Sequence, residues 1–181
     1  MILKLNLWRF KLGFSLFLQG KEKVYGYTNR CSDGKFIVFL DYDDMPFEWV
    51  YDEIMWLQTD FNLGNFYLFK SSKDSYHAVC FSKLRLNELM KVIYNSSIDE
   101  NYHRIPYTIG KRLLTLRASD KKNSKIKFEC CLVNDSNRLE SKEHKLVFNK
   151  LFPNVLNEKQ IEVNNDLGHP SKVIFSHYKI K

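Results

Sequence analysis

The sequence predicts an α+β fold in which an antiparallel sheet of the split βαβ type carries its helices on one face. Short runs of aromatic and β-branched residues alternate with segments of helical periodicity, and turn-forming residues separate them. The resulting order of core elements is β-α-β-β-α-β. The chain has 181 residues, which suits a single domain because domains commonly contain about 100–200 residues. We expect a core at about 35–133, an N-terminal arm at 1–34 and a C-terminal helix and strand at 134–181.

The first four core elements are a strand, a helix and a hairpin. After the turn Ser32-Asp33-Gly34, the unbroken apolar run that ends at Leu40 is typical of a buried central strand. Apolar residues recur at three- and four-residue steps from Phe47 to Phe61, which predicts an amphipathic helix. Strands at Phe66 to Phe69 and Tyr76 to Phe81, with a polar turn between them, predict a hairpin.

The second half completes the order. A second helix is predicted from Leu86 to Ile93, followed by strands at Arg112 to Ala118 and Ile126 to Val133. A helix from Leu139 to Phe152 and a last strand from Lys172 to Ile180 follow. The same order occurs in RRM-like and ferredoxin-like folds, in which the sheet face opposite the helices is free for ligands.

Composition favours a globular intracellular protein. The chain is 44% hydrophobic and 15% aromatic, which excludes a disordered chain. The apolar stretch from Leu12 to Leu18 is shorter than the roughly 20 residues of a membrane span, so no membrane partner is expected. The four cysteines contain no CxxC, and no histidines are spaced with a cysteine as a metal site. A reducing cytoplasm is the default location, that of a host cell if the chain is viral or plasmid-encoded.

The charges lie in two opposed blocks. Residues 104–127 contain eight basic residues and the single acid Asp120, whereas residues 41–60 contain seven acids and no Lys or Arg. A basic segment attracts phosphates and an acidic cluster attracts divalent cations, so together they favour polyphosphate chemistry. The alternative is that the acidic and the basic block are two solvent-exposed faces that pair with each other and bind no ligand.

Asp41, Asp43 and Asp44 stand at the end of the first predicted core strand. Alternate side chains of a strand share a face, so Asp41 and Asp43 would point the same way about 6–7 Å apart. Carboxylates at that separation can bridge Mg²⁺ or Mn²⁺ ions, as nucleotidyl transfer requires. The alternative is a polar loop in which Asp44 caps the following helix.

Ser75-Tyr76-His77 opens the second strand of the predicted hairpin. Ser75 and His77 share a face of that strand because the side-chain period is two residues. A hydroxyl and an imidazole at this place can bind the phosphates of a nucleotide held by the metal ions. A half-buried histidine with a structural role is the alternative.

The pairing of Phe39-Leu40-Asp41-Tyr42-Asp43 with Ser75-Tyr76-His77, in elements of this order, resembles motifs I and II of the archaeo-eukaryotic primase superfamily. The plasmid and viral primase-polymerases are the members it resembles most. The resemblance covers roughly residues 36–120 and implies a primase-like catalytic core. It also implies a DNA or RNA template and nucleoside triphosphates as partners, with a helicase or another replication protein as a further partner.

Residue by residue, the resemblance implies that Asp41 and Asp43 bind catalytic Mg²⁺ or Mn²⁺ and that Ser75 and His77 contact the phosphates of the incoming nucleotide. Such primases place a third acid on a later strand, where this chain has Arg117. Asp120 is the expected substitute as a metal ligand, and Asp99 is the other acid that could take the place.

The basic residues predict a phosphate-binding surface. Arg112 and Arg117 are expected to bind nucleotide because guanidinium groups form two-pronged hydrogen bonds with phosphates. A nucleic-acid contact is expected from Lys111, Arg112, Lys121 and Lys122. An edge strand protected by charge is the alternative.

Three functions agree with these residues. The first is a template-directed nucleotidyltransferase of DNA replication that uses two metal ions. The second is a non-catalytic nucleic-acid-binding replication protein on the same fold, which Arg117 at the position of the third acid favours. The third is a metal-dependent nuclease that uses the same carboxylates.

Overall fold

Nine strands and three helices form the part of the chain that the computed structural model describes, namely residues 2–7, 10–15, 26–99, 114–120, 125–153, 155–157 and 172–175. The strands are β1 (Ile2–Leu7), β2 (Phe10–Ser15), β3 (Gly26–Thr28), β4 (Phe36–Tyr42), β5 (Phe66–Ser72), β6 (Ser75–Leu84), β7 (Thr115–Arg117), β8 (Lys127–Val133) and β9 (Lys172–Phe175). The helices are α1 (Phe47–Phe61), α2 (Leu86–Tyr94) and α3 (Lys142–Leu151), and a short 3₁₀ turn follows at Val155–Asn157.

The main sheet has five antiparallel strands in the order β4-β6-β5-β8-β9. Because β6 is antiparallel to both β4 and β5, these two strands run parallel to each other on either side of it. α1 connects them, so β4, α1, β5 and β6 form a split βαβ unit. The predicted α+β class with an antiparallel sheet is confirmed.

The position of β7 differs from the predicted order, in which the strand at 112–118 came fourth in the core. β7 pairs with β3 in a separate two-stranded sheet, where Leu116 lies opposite Tyr27. Gly26 permits this close approach, since a Cβ atom there would lie 2.8 Å from the carbonyl oxygen of Leu116. The longer strand β8 instead pairs with β5, because its run of buried apolar residues supplies a continuous core surface.

One face of the main sheet carries Asp41, His77 and Phe69, which are register partners on β4, β6 and β5; we call it the Asp41 face. α3 lies against this face through Phe148, a side chain with no exposed surface. The ring of Phe148 is 5.4, 5.5 and 5.1 Å, between centroids, from the rings of Tyr67, Phe69 and Phe81 respectively.

α1 covers the opposite face. Its Phe47 ring lies 5.7 Å from the ring of Tyr76, and its Glu53 accepts a hydrogen bond of 2.9 Å from the hydroxyl of Tyr42. The prediction that helices lie on one face only, with the other face free, is therefore wrong. In β4, every residue from Phe36 to Leu40 is buried. A strand with apolar side chains on both faces must be covered on both faces, which explains why helices lie on both sides of the sheet.

α1 has the predicted bounds, Phe47–Phe61. It follows Pro46 without a side-chain cap, so the interpretation of Asp44 as its cap is wrong, and it ends at Asn62 in the left-handed conformation. Its buried Gln58 donates hydrogen bonds of 3.0 Å to two carbonyl groups, those of Gly64 and Leu132. The bond to Leu132 joins α1 to β8, the strand that pairs with β5.

At the start of α2, Glu88 accepts hydrogen bonds of 2.8 Å from the backbone N–H of Arg85 and 3.0 Å from the side chain of Arg138. These two bonds, the backbone one first, lower the pKa of Glu88 from its usual 4.5. Because the pKa is lower in the folded chain, this stabilisation is present above pH 4.5 and is lost as the pH falls through the folded value.

We therefore expect Glu88→Gln to lower the free energy of unfolding at pH 7 by about 0.5 kcal/mol, since the pair is partly exposed. The variant should also lose less stability than the wild type when the pH is lowered below 4.5. Urea unfolding at a series of pH values measures both effects. Asp60→Asn, at the exposed end of α1, is the matched control, because it removes an acid that lies outside the contacts of Glu88.

None of the helices in the described ranges combines the length and apolar character that crossing a membrane requires. All four cysteines are buried, and all four are free thiols.

Candidate functional site

The predicted site residues Asp41 and His77 are in contact. The register of β4 and β6 places them opposite each other, and Nε2 of His77 lies 3.3 Å from Oδ1 of Asp41. The His77 side chain is 6% exposed and that of Asp41 is 24% exposed, so the carboxylate is the more accessible partner. The structure thus brings the two sequence motifs together on the Asp41 face.

Asp43 lies just beyond the end of β4 and is exposed. The chain turns at Asp44, which has a φ of 53°, and the N–H of Met45 then donates a 2.8 Å hydrogen bond to the carbonyl of Asp74. The predicted strand alternation therefore does not extend to Asp43, because β4 ends at Tyr42. Asp43 belongs to the exposed rim beside Asp41.

Of the two acids considered as a third ligand, Asp99 is the one next to Asp41. Its backbone N–H donates a 3.1 Å hydrogen bond to the carbonyl of Asp41. Glu53 holds the preceding residues in place, because both of its carboxylate oxygens accept from the N–H of Ser97, at 2.9 and 3.0 Å. The segment after α2 is thus fixed against the end of β4.

Asp120, the acid expected as the third metal ligand, lies between β7 and β8. Its carboxylate accepts a 2.9 Å hydrogen bond from the N–H of Ile126, between β7 and β8. Among the described residues, Asp41, Asp43 and Asp120 do not form a group whose ligand atoms all lie within 4.8 Å of one another. In this structure, the Asp120 carboxylate thus connects the end of β7 to the residue that precedes β8.

His77 and Arg117 line the same narrow cleft on the Asp41 face. The other lining residues are Tyr27, Phe69, Val79, Leu116, Ile126 and Phe152. Arg117 donates a 3.0 Å hydrogen bond to the carbonyl of Ser119 and is half-buried. Asp41, the more accessible partner of His77, is not among the described residues that line this cleft.

The remaining predicted residues divide into two groups. Ser75 is buried at the start of β6, where its hydroxyl donates a 3.4 Å hydrogen bond to the carbonyl of Lys73. Lys111, Arg112, Lys121 and Lys122 lie outside the described residues. The described site residues offer two kinds of ligand group. The carboxylates of Asp41 and the neighbouring acids suit a hard cation, and the imidazole of His77 and the guanidinium of Arg117 suit phosphate.

A second polar cluster joins the segment before β4 to the start of α3, and the sequence did not predict it. Cys31 and His144 are buried, and Sγ of Cys31 lies 3.8 Å from Nδ1 of His144. Glu143 contributes a carboxylate oxygen 4.0 Å from the same Nδ1 atom. Burial lowers the pKa of His144 and raises the pKa of Cys31, so both groups are neutral near pH 7.

Spacing in the sequence could not reveal this cluster, because Cys31 and His144 are 113 positions apart. The only local signal was Ser141, a typical N-cap residue three positions before His144. Its hydroxyl oxygen lies 2.7 Å from Nδ1 of His144 and 3.4 Å from the backbone nitrogen of the same residue.

No protein-family profile matches the chain, and no curated protein or solved structure is significantly similar to it.

Proposed function

We propose that this chain is a primase-like or polymerase-like nucleotidyltransferase that acts on nucleic acid during replication. The contact between Asp41 and His77 carries the proposal. Asp41 belongs to the predicted carboxylate motif, and His77 belongs to the predicted small-x-His motif. The two residues lie on neighbouring strands, β4 and β6, of a split βαβ unit. Arg117 lines the cleft beside His77 and adds a positive charge to the same face.

In the proposed reaction, a 3′-hydroxyl attacks the α-phosphorus of a nucleoside triphosphate, a new phosphodiester bond forms, and pyrophosphate leaves. Asp41 would hold Mg²⁺ or Mn²⁺ together with Asp43, and Asp99, whose backbone N–H is hydrogen-bonded to the Asp41 carbonyl, is a further acid that could join them. Such an ion, when bound, supplies positive charge that stabilises the transferring phosphoryl group. The donor set fits, because these hard cations prefer carboxylate oxygens.

The phosphates would be positioned by His77 and Arg117. An imidazole and a guanidinium can each donate hydrogen bonds to phosphate oxygens, and the guanidinium can donate two at once. The carboxylate of Asp41 lies 3.3 Å from Nε2 of His77 and would accept a hydrogen bond from a hydrogen on that atom. Asp41 thus has two roles in the proposal, since it binds the cation and orients the histidine.

A second candidate is a nucleic-acid-binding replication protein without catalysis. The observation that favours it is the position of Arg117, which lines the cleft beside His77 and stands where the resembled family has an acid. On this alternative, binding depends on the basic residues of segment 104–127.

The decisive experiment uses the full chain with Mn²⁺, a primed and an unprimed template, and labelled nucleoside triphosphates. We expect the wild type to extend or synthesise a primer, and Asp41→Ala combined with Asp43→Ala to give only background incorporation. Asp52→Ala combined with Asp60→Ala is the matched control, because it removes two exposed acids from α1 and should keep activity.

Three outcomes would contradict the proposal. Incorporation that survives the loss of Asp41 and Asp43 would exclude these acids as ligands. Salt-dependent binding of DNA or RNA by a wild type that incorporates no nucleotide would establish the second candidate instead. Cleavage of the strands under the same conditions would indicate a nuclease.

A further inference from the structure

We propose that Cys31, Glu143 and His144 form a binding site for one zinc-type cation, separate from the carboxylates of the proposed active site. The three side chains each offer one ligand atom, and these atoms all lie within 4.8 Å of one another. The site joins the turn before β4 to the first turn of α3. It does not depend on the proposed function, since it shares no residue with it.

The distances between ligand atoms are close to those of a tetrahedral zinc site. With Zn–S of about 2.3 Å and Zn–N or Zn–O of about 2.0–2.1 Å, tetrahedral angles place S and N roughly 3.5 Å apart and N and O roughly 3.4 Å apart. The corresponding separations here are 3.8 Å from Cys31 to His144 and 4.0 Å from His144 to Glu143. The third separation, between Cys31 and Glu143, is at most 4.8 Å, so the side chains would move closer together as the ion binds.

The His144 ring is already oriented for metal binding through Nδ1. Its Nε2 atom lies 3.0 Å from the carbonyl oxygen of Thr28, and a carbonyl can only accept, so Nε2 carries the hydrogen. In a neutral ring, Nδ1 then has a lone pair, which accepts from the hydroxyl of Ser141 at 2.7 Å, while Sγ of Cys31 lies 3.8 Å from the same atom. A backbone carbonyl that fixes the tautomer in this way is the usual outer partner of a metal-binding histidine.

Glu143 is also held by an outer partner. The backbone N–H of Ser32 donates to Oε1 at 2.9 Å, and the hydroxyl of Ser32 donates to Oε2 at 2.7 Å. Each carboxylate oxygen has a second lone pair, so these bonds do not prevent coordination. They fix the carboxylate beside the buried thiol of Cys31.

Binding would break one hydrogen bond and release one proton. The hydroxyl of Ser141 would leave Nδ1 of His144, from which it lies 2.7 Å, because the metal would take that lone pair. The thiol of Cys31 would give its proton to solvent as the metal–thiolate bond forms. A water molecule would be the fourth ligand, as in zinc sites with three protein ligands.

The ligand types select the metal. A thiolate and an imidazole favour Zn²⁺ and similar borderline or soft cations, whereas the all-oxygen set of Asp41 and its neighbours favours Mg²⁺ or Mn²⁺. Zn²⁺ would therefore bind at Cys31, Glu143 and His144, whereas Mg²⁺ or Mn²⁺ would bind at Asp41. Because it joins residues 113 positions apart, a bound ion at the first site would act as a cross-link that holds α3 against the body of the protein.

The test titrates the metal-free full chain with Co²⁺, a spectroscopic substitute for Zn²⁺, and then with Zn²⁺ by calorimetry. We expect one ion per chain, intense visible bands of four-coordinate cobalt, a sulfur-to-cobalt charge-transfer band, and a melting temperature that rises with Zn²⁺ concentration. Cys31→Ser should abolish the charge-transfer band, and Glu143→Gln should weaken Zn²⁺ binding by at least about tenfold.

Two matched controls identify the ligands. Cys80→Ser alters another buried thiol that contacts the Gly64 carbonyl, and Asp33→Asn removes a neighbouring negative charge that pairs with Lys83. Both variants should keep wild-type Zn²⁺ affinity. Circular dichroism of every metal-free variant establishes that it is folded, and Glu143→Gln, on the partly exposed side, tests the site even if Cys31→Ser does not fold.

The proposal would be overturned by a folded wild type that binds no Zn²⁺. It would equally be overturned if the charge-transfer band survives Cys31→Ser, or if Glu143→Gln and Asp33→Asn bind Zn²⁺ equally well. In each case the cluster would be a hydrogen-bonded clamp on α3 without a metal.

Discussion

Replacing Phe148 with alanine is expected to lower the free energy of unfolding by about 3–5 kcal/mol, since it leaves a cavity in a closely packed aromatic cluster. Phe148 has no exposed surface. The adjacent Phe152 ring lies 5.2 Å from its centroid and 4.4 Å from that of Phe69, so the neighbours also support one another. The loss removes the contact that attaches α3 to the Asp41 face.

Urea unfolding followed by circular dichroism and by fluorescence measures this effect. Leu146→Ala is the control, because Leu146 stands on the same helix with 67% of its surface exposed and should change stability by less than about 0.5 kcal/mol. If Phe148→Ala costs as little as Leu146→Ala, α3 does not pack on the sheet as described.

Glu53→Ala is expected to lower the free energy of unfolding by about 2 kcal/mol, because it leaves a buried hydroxyl without its acceptor. Tyr42, which is fully buried, donates to Glu53, and so does the N–H of Ser97. Glu48→Ala, at an exposed position of the same helix, should be nearly neutral. Equilibrium unfolding in urea measures both variants.

A double-mutant cycle gives the sharper result. Tyr42→Phe removes the donor and the hydroxyl together, so Glu53→Ala added to Tyr42→Phe should cost less than Glu53→Ala alone in the wild type. Strictly additive free energies would mean that the two side chains are not coupled. The Ser97 bond would then account for the whole effect of Glu53→Ala.

Local patterns predicted the first half of the fold well. The 3.6-residue period of α1 and the turn between β5 and β6 depend on neighbours in sequence, so their positions could be predicted. β4 extends to Tyr42 instead of ending at Leu40. That extension places Asp41 within the strand and directly opposite His77.

Long-range packing could not be predicted in the same way. β7 resembles other apolar strands in sequence, but its pairing with β3 depends on contacts with residues some 90 positions earlier in the chain. α3 was predicted as a helix, yet no periodicity states which sheet face it covers. Asp120 was predicted as the third acid and Asp99 was the alternative, and only the tertiary hydrogen bonds show that Asp99 is the neighbour of Asp41.

α3 contributes to the proposed zinc site and adjoins the cleft beside His77. Its first turn carries Glu143 and His144, while Phe152, the residue that follows its last turn, lines the cleft beside His77. Any free energy that holds the first turn in place also opposes the opening of that cleft. By thermodynamic reciprocity, a ligand that requires α3 docked and a ligand that requires it displaced must weaken each other's binding by the same factor.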